Sequence, residues 1–251
     1  MSALRFERDG PVLRITLARP ELRNAFDREL IMELYDAFHA VGDARVVVLA
    51  GDGPSFCAGA DVEWQRSSID LSYDENVEDA MRLYRMLETV DGCPAPVVAR
   101  VQGYALGGGS GLVACADIVL AGDDAVFGFS EVRLGIIPAV ISPFVLRRIG
   151  AGLARRHFLT GERFDAATAL RIGLVHEVAA DLDEAVERVL GDLLAGGPEA
   201  VRAAKRLARE RPEALETARI AAERRTSEEG QEGLRAFLEK RAPAWRSGSS
   251  S

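Results

Sequence analysis

The sequence predicts an α/β domain, and three observations carry that prediction. Two continuous β-branched runs, RVVVLAG at 45–51 and PVVARV at 96–101, each lead into a glycine-rich loop, and helix-like segments follow the loops. Strands that are apolar on both faces belong in parallel sheets covered by helices. Parallel neighbours need crossovers long enough to hold a helix, which puts the glycine loops at the strands' carboxyl ends. Composition agrees: 48% of the 251 residues are hydrophobic and 28% are charged, enough for a sizeable core in a soluble chain.

Taken in order, Leu13, Ile15 and Leu17 alternate with Arg14 and Thr16, the period of a half-buried strand that Pro20 closes. Asn24 or Asp27 is placed to cap a helix in which Leu30, Ile31, Leu34, Phe38 and Val41 form one apolar stripe. The strand at 45–51 runs into GDGPSFCAGAD. Residues 62–75 show no clear period and read as a mobile loop that shapes a pocket. A helix over 76–90 follows, with Ala80, Leu83, Tyr84, Leu87 and Val90 on one face. The strand at 96–101 runs into GYALGGGSGL, and DIVLAG at 117–122 is a third strand. Beyond about residue 195 the chain consists almost entirely of helix formers with two proline breaks. The boundary is therefore placed at 1–195 for the core and 196–251 for a helical region that docks on the core or on a neighbouring subunit. The closing SGSSS reads as a disordered tail.

The totals exclude several classes of function. A net charge of −8 argues against a nucleic-acid surface. No apolar stretch is long enough to cross a membrane, and MSALRFERDG lacks the apolar core of a signal peptide. Cys57, Cys93 and Cys115 are odd in number without C-x-x-C spacing, which suggests reduced core thiols in a cytoplasmic protein. His39, His157 and His176 are scattered, with no metal-ligand spacing.

The glycine loops are the chemical candidates. CAGAD (57–61) and GGGSG (107–111) each follow a buried strand and precede a helix. Helix N-termini present unpaired N–H donors with partial positive charge. Two of them converging would stabilise an oxyanion; the alternative is tight strand-to-helix packing. The second loop departs from G-x-G-x-x-G, with Leu112 where the last glycine would stand, and no P-loop or G-x-S-x-G sequence occurs. In FGFSEVRLGIIP (127–138), Glu131 stands among apolar neighbours that would raise a carboxyl's pKa, as a general acid or base requires. The competing reading has Ser130 capping a helical turn and Glu131 in that turn's favourable first positions.

RPELRNAF (19–26), FCAGAD, VQGYALGGGSGLVACADIVLA, FGFSEVRLGIIP, LTGERFDAATALRIGLVHEV and EGLRAFLEKRAPAW together resemble the crotonase, or enoyl-CoA hydratase/isomerase, superfamily. The resemblance spans nearly the whole chain. It implies a crotonase-like spiral of strand-strand-helix repeats, with a C-terminal helical region that builds homotrimers or homohexamers, and an acyl-CoA thioester substrate. By position, the N–H groups of Ala60 and Gly108 would form an oxyanion hole and Ala58 would lie by the adenine. Arg23 would meet the CoA phosphates, while Phe237 and Lys240 would reach CoA from the C-terminal region, in one arrangement from a neighbouring subunit. No cofactor beyond the CoA moiety and no metal is implied.

Hydratases of the family use two glutamates twenty residues apart. Glu131 matches the later one, and Gly111 stands where the earlier would be. A single carboxylate suits a Δ3,Δ2-enoyl-CoA isomerase. Against that, GLVACADI, GADVEW and LGIIPAVISPFVLRRIG look like bacterial hydratases of the methylglutaconyl-CoA type, which favours a hydratase. An acyl-CoA-binding protein without catalysis is the alternative from another class, and retention of Glu131 weighs against it.

Overall fold

The computed structural model describes residues 2–246, so the tail at 247–251 lies outside the described residues. The chain opens with an antiparallel hairpin, β1 (Leu4–Asp9) against β2 (Val12–Leu17). Only Leu4 of β1 is buried, so that strand carries no apolar alternation to read. Helix α1 (Arg28–His39) follows, with the Asp27 carboxylate accepting the Leu30 N–H at 2.8 Å. Asn24 is not the cap. It is buried, and its amide donates to the carbonyls of Asp52 and Ser55 at 2.9 and 2.8 Å.

Strand β3 (Val46–Gly51) leads to α2 (Val62–Ser67), a short 3-10 turn (Ser68–Asp70) and α3 (Tyr73–Asp91). The expected loop over 62–75 is therefore mostly helical. Its signals are caps rather than periodicity: Asp61 accepts two N–H groups of α2, and Ser72 with Glu75 forms a capping box on α3. Next come β4 (Val97–Val101), β5 (Tyr104–Leu106), α4 (Gly108–Cys115), β6 (Ile118–Ala121) and β7 (Val126–Gly128). Helix α5 (Ser142–Thr160) breaks at Gly150, where φ is 75° and ψ 154°. The core closes with β8 (Arg163–Asp165), α6 (Ala166–Arg171), β9 (Glu177–Val178) and α7 (Leu182–Ala195). Helices α8 (Pro198–Glu210), α9 (Ala214–Thr226) and α10 (Glu228–Leu238) complete the chain.

The main sheet has the order β1-β2-β3-β4-β6-β9, parallel from β2 onward. Its central strands separate two apolar clusters. Val47, Leu49, Val97 and Ala99 face the larger one, whereas Val46, Val48 and Val98 pack with Val186 and Leu190 of α7. Both faces are dry, which is why these runs lack polar alternation. The second face of β2 is covered by α7, where Val12 packs with Val186 and Leu190 and Arg14 pairs with Glu187, so Thr16 is buried and the expected half-exposed face is lost.

A second ladder runs beside the first. Phe26 bridges Ala60, Cys57 bridges Ala105, β5 pairs with β7, and β7 with β8. Successive strand-and-helix units thus stack corresponding segments on one another, a spiral repetition that leaves no trace in residue identity. All three cysteines are buried and free, and burial pushes the Cys57 thiol up to about 12.

Helix α8 lies against the core through charge. Lys205 pairs with Asp117 at 2.6 Å and donates to the Ala95 carbonyl at 3.0 Å, while Arg209 meets Asp91 at 2.5 Å. Helix α9 buries no residue, and α10 buries only Ala236. Among the described residues no helix is long and apolar enough to cross a membrane.

Candidate active site

Both glycine loops open onto one cavity of about 370 Å³. Its wall includes Ala58, Ala60, Gly108 and Glu131, four residues singled out in the sequence.

The first loop is held by Phe26, whose N–H donates to the Gly59 carbonyl while its own carbonyl accepts the Asp61 N–H, both at 2.7 Å. Ala60 sits between these bonds, so its N–H points to the opposite side of the strand. Among the described residues that N–H donates to no protein acceptor. The second loop turns at Gly107, where φ is 49° and ψ −119°, a conformation that side chains rarely adopt. Gly108 then begins α4, and its amide is one of the unpaired donors of a helix N-terminus. A Cβ on Gly108 would stand 2.9 Å from the Phe26 ring, so the close approach of loop and ring requires glycine. Two donors with no protein acceptor therefore border one cavity, at the positive end of a buried helix.

Glu131 faces them. It begins a 3-10 turn (Glu131–Leu134) directly after buried Phe127 and Phe129. Its Oε1 would be 3.2 Å from a Cβ on Gly107, so the bare backbone leaves room for it. Its Oε2 is buried without a hydrogen-bond partner among the described residues. Burial pushes this carboxyl above the ordinary carboxylate range, with its own backbone N–H pulling weakly the other way. Ser130 stands at the N-cap position of this turn but makes no side-chain capping bond, while Glu131 does lie in its first turn, as the competing reading expected. A buried carboxyl oxygen without a partner and two amides without protein acceptors thus border one cavity, which makes them the candidate reacting groups.

Gly111 lies behind the wall, in the buried body of α4. A Cβ there would fall 2.4 Å from Cγ2 of Ile141 and 3.8 Å from a methyl of Leu87. The place of the missing glutamate is thus filled by an isoleucine, which also lines the cavity.

Arg23 adopts a left-handed backbone (φ 51°), its carbonyl accepts the Ala58 N–H at 3.0 Å, and its guanidinium lies 5.7 Å from the Tyr104 ring centre. Arg163, which lines the cavity, lies over the same ring at 5.4 Å. Phe237 and Lys240 are not brought to the cavity within one chain; Phe237 is 79% exposed on α10. Sequence reasoning missed Trp64, Asp79, Leu83, Ile141 and Arg163, all of which line the cavity. The signal that places Trp64 is the Asp61 cap of α2, and the one that places Asp79 is the Ser72–Glu75 capping box of α3.

The histidines are structural. His157 packs 4.3 Å from the Phe164 ring, and His176 Nδ1 accepts the Val119 N–H at 2.9 Å. His39 sits against the Tyr35 carbonyl. Among the described residues no group of three or more His, Cys, Asp or Glu could hold a metal ion.

Comparison with known proteins places this geometry. Residues 7–248 match the enoyl-CoA hydratase/isomerase family. The chain is 35% identical to the 2,3-dehydroadipyl-CoA hydratase of Escherichia coli, covering 97% of this chain and 98% of that protein. Among solved structures, Pseudomonas aeruginosa AtuE superposes with a TM-score of 0.93 at 39% identity, covering 97% and 99% of the two chains. An enoyl-CoA hydratase of Shewanella pealeana gives 0.90 at 39% identity, covering 97% and 96%. With the stacked spiral, the paired glycine-loop amides and a match through nearly its whole length, the chain belongs to the enoyl-CoA hydratase/isomerase family of the crotonase superfamily.

Proposed function

We propose that this enzyme adds water across the double bond of a 2-enoyl-CoA thioester, using Glu131 as its one reacting carboxyl. The observation that carries the reading is the buried, unpartnered Glu131 oxygen on the cavity shared by the Ala60 and Gly108 amides. The thioester oxygen accepts those two N–H groups, and the helix N-terminus at Gly108 favours the charge that develops there as an enolate.

With Ile141 over Gly111, the carboxylates that line the cavity among the described residues are Glu131 and Asp79, and Asp79 is engaged by Trp64, Arg28 and Arg82. One carboxyl then serves both proton transfers. Glu131, which burial shifts toward its protonated form, gives its proton to the α-carbon in this reading, and its other oxygen takes a proton from the water whose oxygen bonds to the β-carbon. The net change is one water added, with Glu131 returned to its starting form.

Ala58 and Arg23 bind the CoA portion in this reading. Phe237 and Lys240 reach it from a neighbouring copy in a homotrimer or hexamer of a cytoplasmic protein. The support for assembly is the exposed apolar surface of Leu234, Phe237 and Leu238 on α10. An isomerase that shifts a 3-enoyl double bond to the 2-position rests on the same carboxyl, and the filled site at Gly111 favours it as the second reading.

One assay separates them. Purified protein is given a 2-enoyl-CoA and its 3-enoyl isomer, with product masses recorded. Loss of the 2-enoyl absorbance with one added water supports the hydratase; a rising absorbance from the 3-enoyl ester at constant mass overturns it for the isomerase. Inertness toward both leaves an acyl-CoA binder.

A further inference from the structure

We propose that Trp64, held in place by Asp79, is the wall that limits how long an acyl chain the cavity accepts. This rests on the acyl-thioester reading of the site and assigns it a specificity residue and a positioning residue.

Asp79 is a carboxylate only 7% exposed, yet it lines the cavity. It accepts the Trp64 indole N–H on Oδ2 at 2.8 Å, while Arg28 and Arg82 approach Oδ1 at 3.3 and 3.2 Å. A carboxylate is buried at a penalty unless several donors meet it, so these contacts hold one another in register. What they position is the indole. Trp64 stands on α2, a six-residue helix that buries none of its residues. Its apolar tie is Trp64 itself, which is half-buried and packs against the main core. Its local ties are the Asp61 cap at one end and the Trp64–Asp79 bond in its middle.

Helix α3 supplies the scale. Asp79, Leu83 and Leu87 are spaced at i, i+4 and i+8 and so lie along one side of the helix. Leu87 is the residue that approaches Gly111 in the wall behind the chemistry, whereas Leu83 and Asp79 line the cavity itself. Eight residues of helix put Asp79 roughly 12 Å farther along α3 than Leu87. Asp79 thus lies well along α3 from the wall at Gly111, and its carboxylate is already engaged by three donors. An acyl chain that leaves the Ala60 and Gly108 amides and runs along α3 past Leu83 meets the indole of Trp64. The indole is the largest side chain on this side of the cavity, and Asp79 keeps it from swinging aside.

The test is a chain-length profile. kcat/KM is measured for 2-enoyl-CoA esters from crotonyl to dodecenoyl on wild type, Trp64→Ala, Asp79→Ala and Asp79→Asn. Trp64→Ala is expected to raise the long-to-short ratio roughly tenfold or more, the scale on which added methylenes are sorted by a hydrophobic wall. Asp79→Ala shifts the ratio the same way by a smaller factor, and Asp79→Asn, which keeps an oxygen for the indole, returns it toward wild type. In a Trp245→Phe background Trp64 is the sole tryptophan, and long saturated acyl-CoA esters shift its emission while short ones do not. A folded Trp64→Ala variant with an unchanged ratio, or Trp64 emission indifferent to chain length, overturns the proposal; should that variant fail to fold, the emission of the native side chain decides. Saturated esters bind without reacting, so a wild type that turns over no enoyl-CoA defeats the hydratase reading while the emission profile still judges the wall.

Discussion

The two glycine loops reach the same cavity from unlike supports. GGGSG opens α4, where every residue after Gly108 is buried, and the helix is clamped between Ile141, Leu87 and the second ladder. CAGAD opens α2, which has no fully buried residue and is tied down by the Asp61 cap, the Trp64–Asp79 bond and the packing of Trp64 on the core. One amide thus belongs to the rigid interior and the other to the base of a surface cover. The difference teaches a division of labour: the helix that Gly108 opens is packed in the interior, whereas the helix that follows Ala60 lies at the surface of the same cavity, as does the turn that carries Glu131. Functional geometry held by packing and function placed on exposed segments are the two ordinary ways of building a site.

The strongest way to break this comparison is at Glu131. Glu131→Gln is expected to lower kcat/KM by about 10³-fold or more while acyl-CoA affinity stays near wild type, as loss of a general acid–base group requires. Loss of affinity instead, measured by calorimetry, would make the residue structural. The same variant carries a stability signature. Burial raises the folded-state pKa of Glu131, so the stability contributed by that shift is present below the unfolded value and is lost as pH rises through the folded one. Thermal unfolding of Glu131→Gln should therefore lie above wild type at neutral pH, with the gap closing in acid.

Next in size is Gly108→Ala, whose Cβ meets the Phe26 ring and displaces an amide on the rigid side. A loss of about 10²-fold in kcat is expected, the scale of one oxyanion donor. Ala60→Gly keeps its amide and should lose far less; equal losses would erase the distinction between the loops.

Gly111→Glu probes the packed wall directly. Because Ile141 occupies the space, the variant is expected to lose about 1–3 kcal/mol of stability by denaturant titration. Gain of hydration toward simple esters should then require a smaller residue at 141 as well. Wild-type stability in the single variant would show that the wall gives.

The smallest effect is on the cover. Ser72→Ala removes the capping box of α3 and should cost about 1 kcal/mol. Hydrogen exchange should quicken in the first turn of α3 and stay unchanged in α4.

Much of the fold was legible because burial leaves a pattern. The valine runs at 46–48 and 97–98, the stripe of α1 and the proline breaks around α8 each carry a local physical signature. Strand β1 and the pairs at 104–106 and 126–128 are too short or too exposed to show one, and their pairing comes from neighbours distant in the chain. Helix α2 was read as loop because it buries nothing, so only its caps mark it. In the site, the glycine loops and Glu131 stood out because glycine runs and a carboxyl among aromatics are locally improbable. Ile141 and Asp79 did not, since an isoleucine or a helical aspartate is ordinary until its surroundings are known.

By itself, then, the sequence determined the α/β class, the two glycine loops and a candidate carboxyl, while only its resemblance to the family marked Gly111 as the place of a second one. The first three follow from backbone freedom, side-chain chemistry and periodicity, which act over a few residues. Tertiary structure alone decided that the amides of Ala60 and Gly108 share a cavity with an unpaired Glu131 oxygen, that Ile141 fills the space at Gly111, and that Asp79 bonds the Trp64 indole at the cavity wall. Each of these is a contact between distant segments, and its energy depends on desolvation and close packing that exist only once the chain has closed on itself.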